Sequence, residues 1–382
     1  MNRIIVLGAG MVGSAIAVDL AKRHQVTVAD RDIERLNYVR TKSPDIDTIE
    51  LDFCDDKKLQ SYLTKFELVV SAVPGSIGFD TLKNIIQTGK NVVDISFFPE
   101  NCLDLSNLAK EKNVTAFVDC GVAPGLDNMI LGHYDNNLEM DSFECLVGGL
   151  PEIRKWPFYY KAPFSPADVL EEYTRPARYV ENGKLVTIEP LTDCELVDFQ
   201  NAGTLESFTT DGLRSIIFTM PHIRNMKEKT LRYPGHAEYI RVLKESGFFS
   251  KEEIRIDGKG ISPFDITSKV LFKEWKMGRS DKDLTIMRII LRGKNENGKI
   301  EKIEYDLFDK YDEVTGTSSM ARTTGYTAAA VSEMFLSGLF NNKGVFPPEL
   351  IGKNETCFNH VIDYLNERDI RFNTSSSVVQ SP

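Results

Sequence analysis

The stretch from Ile4 to Asp30 limits the fold more than any other part of the chain. An apolar strand, Ile4-Ile5-Val6-Leu7, runs into Gly8-Ala9-Gly10-Met11-Val12-Gly13. An amphipathic helix from Ser14 to about Arg23 follows, then a second strand, Val26 to Ala29, that ends at Asp30. This is a dinucleotide-binding fingerprint in the strand–turn–helix–strand setting that its physics requires. Gly8 permits the tight turn, Gly10 lets the main chain approach a pyrophosphate, and Gly13 lets the helix pack close to the strand. Met11 and Val12 lie at the helix mouth, where unpaired N–H groups and the helix dipole favour phosphate. Asp30 is spaced to accept hydrogen bonds from the adenosine ribose, which favours NAD. Arg31 beside it leaves a partner for a 2′-phosphate, so NADP stays open. A secretory leader also begins with a basic residue, an apolar run and small residues. Three glycines inside the run and the charged Asp19 argue against one, so a cytoplasmic protein is expected.

Strands and helices keep alternating beyond Asp30. Helices are expected at 33–41, 59–66, 79–88 and 103–112, and strands at 48–51, 67–73, 91–96 and 114–118. With the first two, that makes six strands of an α/β, doubly wound Rossmann sheet ending near Gly125. Ligands of such sheets bind beyond the carboxyl ends of the strands. Asp52 is there to meet either an adenine amino group or water. Ala72, Val73 and Pro74, followed by Gly75, should lie beside the nicotinamide half, and Asp94 and Asp119 end the fifth and sixth strands.

A length of 382 residues is too great for one ordinary core. From about Ser142 strands appear without helices between them: 143–147, 185–188, 195–197, 205–209, and a hairpin of 284–292 with 299–307. Helices at 166–173, 236–245 and about 267–275 accompany them. This predicts an α+β substrate-binding domain over 126–322 that covers the open edge of the cofactor cleft. Helices at 324–337 and 357–368 should return to the first domain, so that 323–372 completes residues 1–125. The polar segment 373–382 is expected to be disordered. No apolar run reaches the length of a membrane span. The net charge of −10 disfavours nucleic acid and anionic membranes and suits a cationic small molecule. Six cysteines without paired spacing point to free thiols, and neither they nor the histidines have metal-site spacing.

Two later segments concentrate chemistry. Asp211-Gly212-Leu213-Arg214-Ser215 and Thr230-Leu231-Arg232-Tyr233-Pro234-Gly235-His236, read as loops, offer guanidinium forks for a carboxylate and an acid for an ammonium group. An interdomain salt-bridge network would use the same residues.

Together with the glycine turn, these segments resemble the saccharopine dehydrogenase-like reductases. Further marks are Ala123-Pro124-Gly125, Val147-Gly148-Gly149-Leu150-Pro151, Tyr160-Lys161 with Phe164-Ser165-Pro166, and Gly344 to Glu349. The run Glu171-Glu172-Tyr173-Thr174-Arg175-Pro176-Ala177 looks typical of the lysine 6-dehydrogenase branch. Phe164 departs from the tryptophan usual there. The resemblance implies a Rossmann domain, a cleft-closing second domain that carries a homodimer contact, and oxidation of the ε-amino carbon of lysine by NAD. The product would be 2-aminoadipate 6-semialdehyde, which cyclises to 1-piperideine-6-carboxylate, with release of ammonia. Saccharopine or carboxynorspermidine reductases, and a nucleotide sensor without turnover, are the alternatives.

Hydride leaves the carbon that bears the nitrogen only when the amine is neutral, so the site needs a proton acceptor. Asp94 and Asp119 are the first candidates, Tyr160 and His236 the reserves. Arg232 and Arg214 are expected at the substrate carboxylate, with Asp211 and Tyr233 beside them.

Overall fold

The computed structural model describes residues 1–278 and 281–379. Among these, seven parallel strands form one sheet. Its order is Gly344–Phe346, β6 (Thr115–Phe117), β5 (Asn91–Asp94), β4 (Leu68–Ser71), β1 (Arg3–Leu7), β2 (Gln25–Asp30) and β3 (Asp47–Glu50). The alternation of strands and helices thus gives the expected doubly wound sheet. Its seventh member is a short strand from near the chain's end, pairing with β6. A glycine followed by only two apolar residues is too short a run to give a local strand signal; tertiary pairing makes the strand. Successive strands are added on opposite sides of β1, so the crevice opens between β1 and β4, where the order reverses.

Helix α1 (Met11–Leu20) begins three positions before the expected Ser14, because Gly10 itself is its N-cap. At Gly8 the backbone has φ of +105°, where a side chain is strained, and a Cβ would also overlap the Ala72 carbonyl. A Cβ on Gly13 would overlap the Gly8 carbonyl, so α1 can lie directly against the turn only with glycine there.

The second sheet has nine strands and is mixed. Glu139–Pro151 pairs antiparallel with Asp283–Lys294, which forms the expected hairpin with Ile300–Lys310. Two expectations fail in this sheet. The segment up to Arg232 is not a loop: Asn225–Arg232 is an inner strand, parallel to Glu139–Pro151 and antiparallel to Gly203–Thr209. The tail is not disordered through 379 either, since Phe372–Val379 adds to the free edge of Ile300–Lys310. From Asn373 to Ser377 its side chains are polar and exposed, and main-chain pairing holds that stretch without apolar alternation. Residues 380–382 of that segment lie outside the described residues.

Ser319–Leu336, a long and almost wholly buried helix, packs on α1 and carries one apolar core from the first sheet to the second. It starts five residues before the expected Thr324. The Ser318 side chain caps it, and the Asp283 carboxylate accepts from the N–H groups of Ser319 at 2.7 Å and Met320 at 3.0 Å. Among the described residues, no helix is long and apolar enough to cross a membrane.

Candidate active site

A cleft of about 1130 Å³ runs between the carboxyl ends of the parallel strands and the mixed sheet. Gly8, Gly10, Met11, Val12, Gly13, Asp30, Arg31, Asp52, Ala72, Val73 and Pro74 all line it. A Cβ on Gly10 would meet nothing within 4 Å, so the main chain there is bare to the cleft. No side chain caps α1, which leaves its first N–H groups free for an anion. These features fit a dinucleotide pyrophosphate. Asp30 does more than its spacing suggests. One carboxylate oxygen accepts from Ala9 N at 2.7 Å and the other from Asp32 N at 2.9 Å, so it ties the glycine turn to the end of β2. Arg31 is exposed beside it, and Arg35 pairs with Asp32 at 3.3 Å.

The far half of the cleft belongs to the mixed sheet. Side chains alternate along a strand, so Asn225–Arg232 turns Glu228, Thr230 and Arg232 toward the cleft. Lys229 on the other face pairs with Glu195 at 2.5 Å. Glu228 is buried and accepts a short hydrogen bond from Thr210, whose hydroxyl also meets Thr230 at 2.9 Å. Burial, opposed by the Thr210 bond, raises its carboxyl to about 8. Asp168, also at the cleft, is raised to about 6 by burial, against hydrogen bonds from Ser165 and the Gly75 amide. Glu172 lies above the usual carboxylate range through burial, opposed by Arg232.

Arg232 spends its donors within the protein. Nη2 donates to Glu172 at 2.5 Å, Nε to the Tyr173 hydroxyl at 3.0 Å and Nη1 to the Leu231 carbonyl at 2.9 Å. His236 Nδ1 lies 2.8 Å from the Phe158 carbonyl, which can only accept, so Nε2 is the acceptor for the Tyr173 hydroxyl at 2.9 Å. Tyr173 therefore accepts from Arg232 and donates to His236. Burial, aided by the Arg232 charge, lowers His236 to about 3 and keeps it neutral.

Several expected site residues are placed elsewhere. Asp94 is fully buried and outside the cleft lining, its carboxylate taken up by the Ser96 amide at 3.0 Å and hydroxyl at 2.9 Å. Tyr160 and His236 are also outside the lining, packed in an aromatic cluster with Tyr173 and Trp275. The Tyr233 hydroxyl donates to the Pro151 carbonyl at 2.9 Å, away from the cleft. Arg214 is buried against Asp119 at 2.9 Å and donates to the Phe98 carbonyl, so the interdomain network explains it. Asp119 does line the cleft, with Arg214 as its partner. Asp211 lines it too, gripped through both oxygens by Arg178 at 2.7 and 2.9 Å. Sequence reasoning missed Glu228, Glu172, Asp168 and Arg175, although Glu172 and Arg175 lie in the Glu-Glu-Tyr-Thr-Arg-Pro run.

A glycine turn at the switch point of a parallel sheet, facing a mixed sheet across a deep cleft, defines a two-domain NAD(P)-binding oxidoreductase. Within that class, residues 4–117 match the saccharopine dehydrogenase NADP binding domain and residues 121–370 the saccharopine dehydrogenase C-terminal domain. The chain belongs to the saccharopine dehydrogenase family, whose members are NAD(P)-dependent oxidoreductases acting on CH–NH bonds.

It is 23% identical to rat alpha-aminoadipic semialdehyde synthase over 99% of this chain and 48% of that protein. It thus spans about half the length of the mammalian relatives it matches. It is also 23% identical to the NADP(+)-dependent, L-glutamate-forming saccharopine dehydrogenase of Saccharomyces cerevisiae, over 97% of this chain and 99% of that one. The solved apo structure of the L-Glu-forming saccharopine dehydrogenase from S. cerevisiae superimposes with a TM-score of 0.79 at 20% identity, covering 99% of this chain and 100% of that one. For homospermidine synthase from Legionella pneumophila, solved with NAD, the values are 0.65 and 13%, over 98% and 91%. These structures share the fold.

Proposed function

We propose that the protein oxidises the ε-amino carbon of free lysine with NAD, giving 2-aminoadipate 6-semialdehyde and ammonia. The observation that carries this reading is the charge of the cleft's far half. Asp119, Asp168, Glu171, Glu172, Asp211 and Glu228 line it against Arg175, Arg232 and Lys276; with Arg214 on Asp119, Arg178 on Asp211 and Arg232 on Glu172, the acids left to face Arg175 and Lys276 are Asp168, Glu171 and Glu228. Such a lining suits a substrate with two ammonium groups and one carboxylate. Saccharopine carries three carboxylates and is a poor match. The glycine turn, the bare Gly10 main chain and Asp30 hold the dinucleotide, which when bound accepts the hydride.

The chain's own task is to strip a proton from the ε-ammonium, because only the neutral amine has a lone pair to drive the hydride out. Glu228 is the acceptor we favour. Thr210 fixes its carboxylate, and an entering ammonium ion favours its ionised form. Loss of the hydride leaves a substrate iminium, water adds to its carbon, and ammonia departs as the aldehyde forms. The sum is lysine, NAD⁺ and water going to aldehyde, ammonium, NADH and one proton.

Asp30 at the end of β2 supports NAD, since its charge disfavours a 2′-phosphate. Lysine labelled at the ε-nitrogen tests the reading: the label should leave as ammonium, one per NADH. Label retained in an organic product would refute it.

The names of the relatives favour a second reading, in which saccharopine is cleaved oxidatively in the same cleft. Formation of glutamate from saccharopine separates the two.

A further inference from the structure

Of the cations facing the far half of the cleft, Arg232 has all three guanidinium nitrogens engaged by the protein, and Lys276 is exposed at the rim. Arg175 differs. It follows the helix Pro166–Thr174, and its side chain is only 15% exposed. Its guanidinium carbon sits 5.3 Å from the centre of the Phe97 ring, which comes from the loop after β5. Nη2 reaches the half-exposed Glu171 carboxylate at a long 3.4 Å. Nη1 is buried and meets no hydrogen-bonding group of the protein. A buried guanidinium nitrogen without an acceptor is costly, and a planar fork held against an aromatic face is preorganised for a carboxylate.

We propose that Arg175, rather than Arg214 or Arg232, anchors the carboxylate of the substrate and so selects amino acids over simple amines. This rests on the amine-oxidising reading of the cleft. Arg232 then acts as a positioning residue that fixes Glu172 and Tyr173.

The test compares lysine with 1,5-diaminopentane, the same amine without the carboxylate, as substrates of the full chain with NAD. Arg175→Met should lose about thirtyfold or more in kcat/KM for lysine, the scale of a lost charge-assisted bond. It should not lower kcat/KM for 1,5-diaminopentane, a dication that gains nothing from Arg175, so the wild-type preference for lysine collapses. NADH binding, read by fluorescence, should match wild type. Arg175→Lys, which keeps the charge but not the fork, should fall between, and it stands in if Arg175→Met does not fold. A preference kept within threefold in a folded variant overturns the proposal.

Should the wild type oxidise neither amine, the lysine reading fails by itself. Arg175 is then judged by equilibrium binding of lysine and of saccharopine to the NADH complex. A tenfold loss in the variant for either ligand supports the anchor, and equal affinity for both overturns it.

Discussion

Glu228→Gln should make the protein more stable and much less active, with a pH signature that identifies the cause. The folded carboxyl sits at about 8 against an ordinary 4.5, through burial and the nearby carboxylates of Glu172, Asp127 and Asp211, with the Thr210 bond opposing. Below pH 4.5 the side chain is protonated whether folded or not, and it contributes no penalty. As pH rises from 4.5 toward 8 the unfolded chain ionises while the folded one holds its proton, so stability falls; above 8 the loss is constant. At pH 7 the gap from 4.5, at about 1.4 kcal/mol per unit, amounts to on the order of 3 kcal/mol. Gln keeps the shape and removes the titration. Urea denaturation of both proteins at pH 5, 7 and 9 should therefore show a gain that is small at 5, larger at 7 and largest at 9. The lysine-oxidising rate should drop by about a hundredfold or more, as for a lost general base. A variant equally or less stable at every pH refutes the titration. Near-normal turnover in the variant removes Glu228 from the proton path.

Asp30→Ser should weaken NAD binding and shift preference toward NADP, with Arg31 available to the phosphate; titration with both reduced cofactors reads this, and an unchanged ratio refutes it. The same variant should melt lower than wild type, because Ala9 N and Asp32 N lose their acceptor. Arg214→Met strands Asp119 in a buried position, and breaking such a pair costs about 3 to 5 kcal/mol. Stability should fall by that order while the KM for lysine in the surviving folded protein stays near wild type; a large rise in KM with stability intact would return Arg214 to the substrate.

The glycine turn was legible because its physics is local. Gly8, Gly10 and Gly13 each serve the main chain within one strand, turn and helix, and strand–helix alternation carried the reading to β6. The far half of the cleft was not local. Asn225–Arg232 places charged residues in an inner strand, where pattern reading expects apolar ones, and pairing on both sides overrides that preference. The departure is itself a functional signal, since buried charge on a central strand is rarely tolerated without a use. Asp94 is buried outside the cleft lining, since a strand-end position does not say which way the carboxylate turns. His236 sits outside the lining at the end of a hydrogen-bond chain from Arg232 through Tyr173, and Tyr160 packs in the aromatic cluster beside it; both arrangements exist only in three dimensions. Phe372–Val379 hid its strand for a related reason: an edge strand held by main-chain bonds needs no apolar face.

If the far half of the cleft takes lysine and not a tricarboxylate, the two substrates must give different products. The purified protein is presented with lysine or saccharopine, each with NAD or NADP, and reduced cofactor, ammonia and glutamate are measured together. Lysine should give reduced NAD and an equal amount of ammonia at a rate that climbs into the alkaline range, and saccharopine should give no glutamate. Glutamate formed from saccharopine, with lysine untouched at every pH, would contradict the lysine reading.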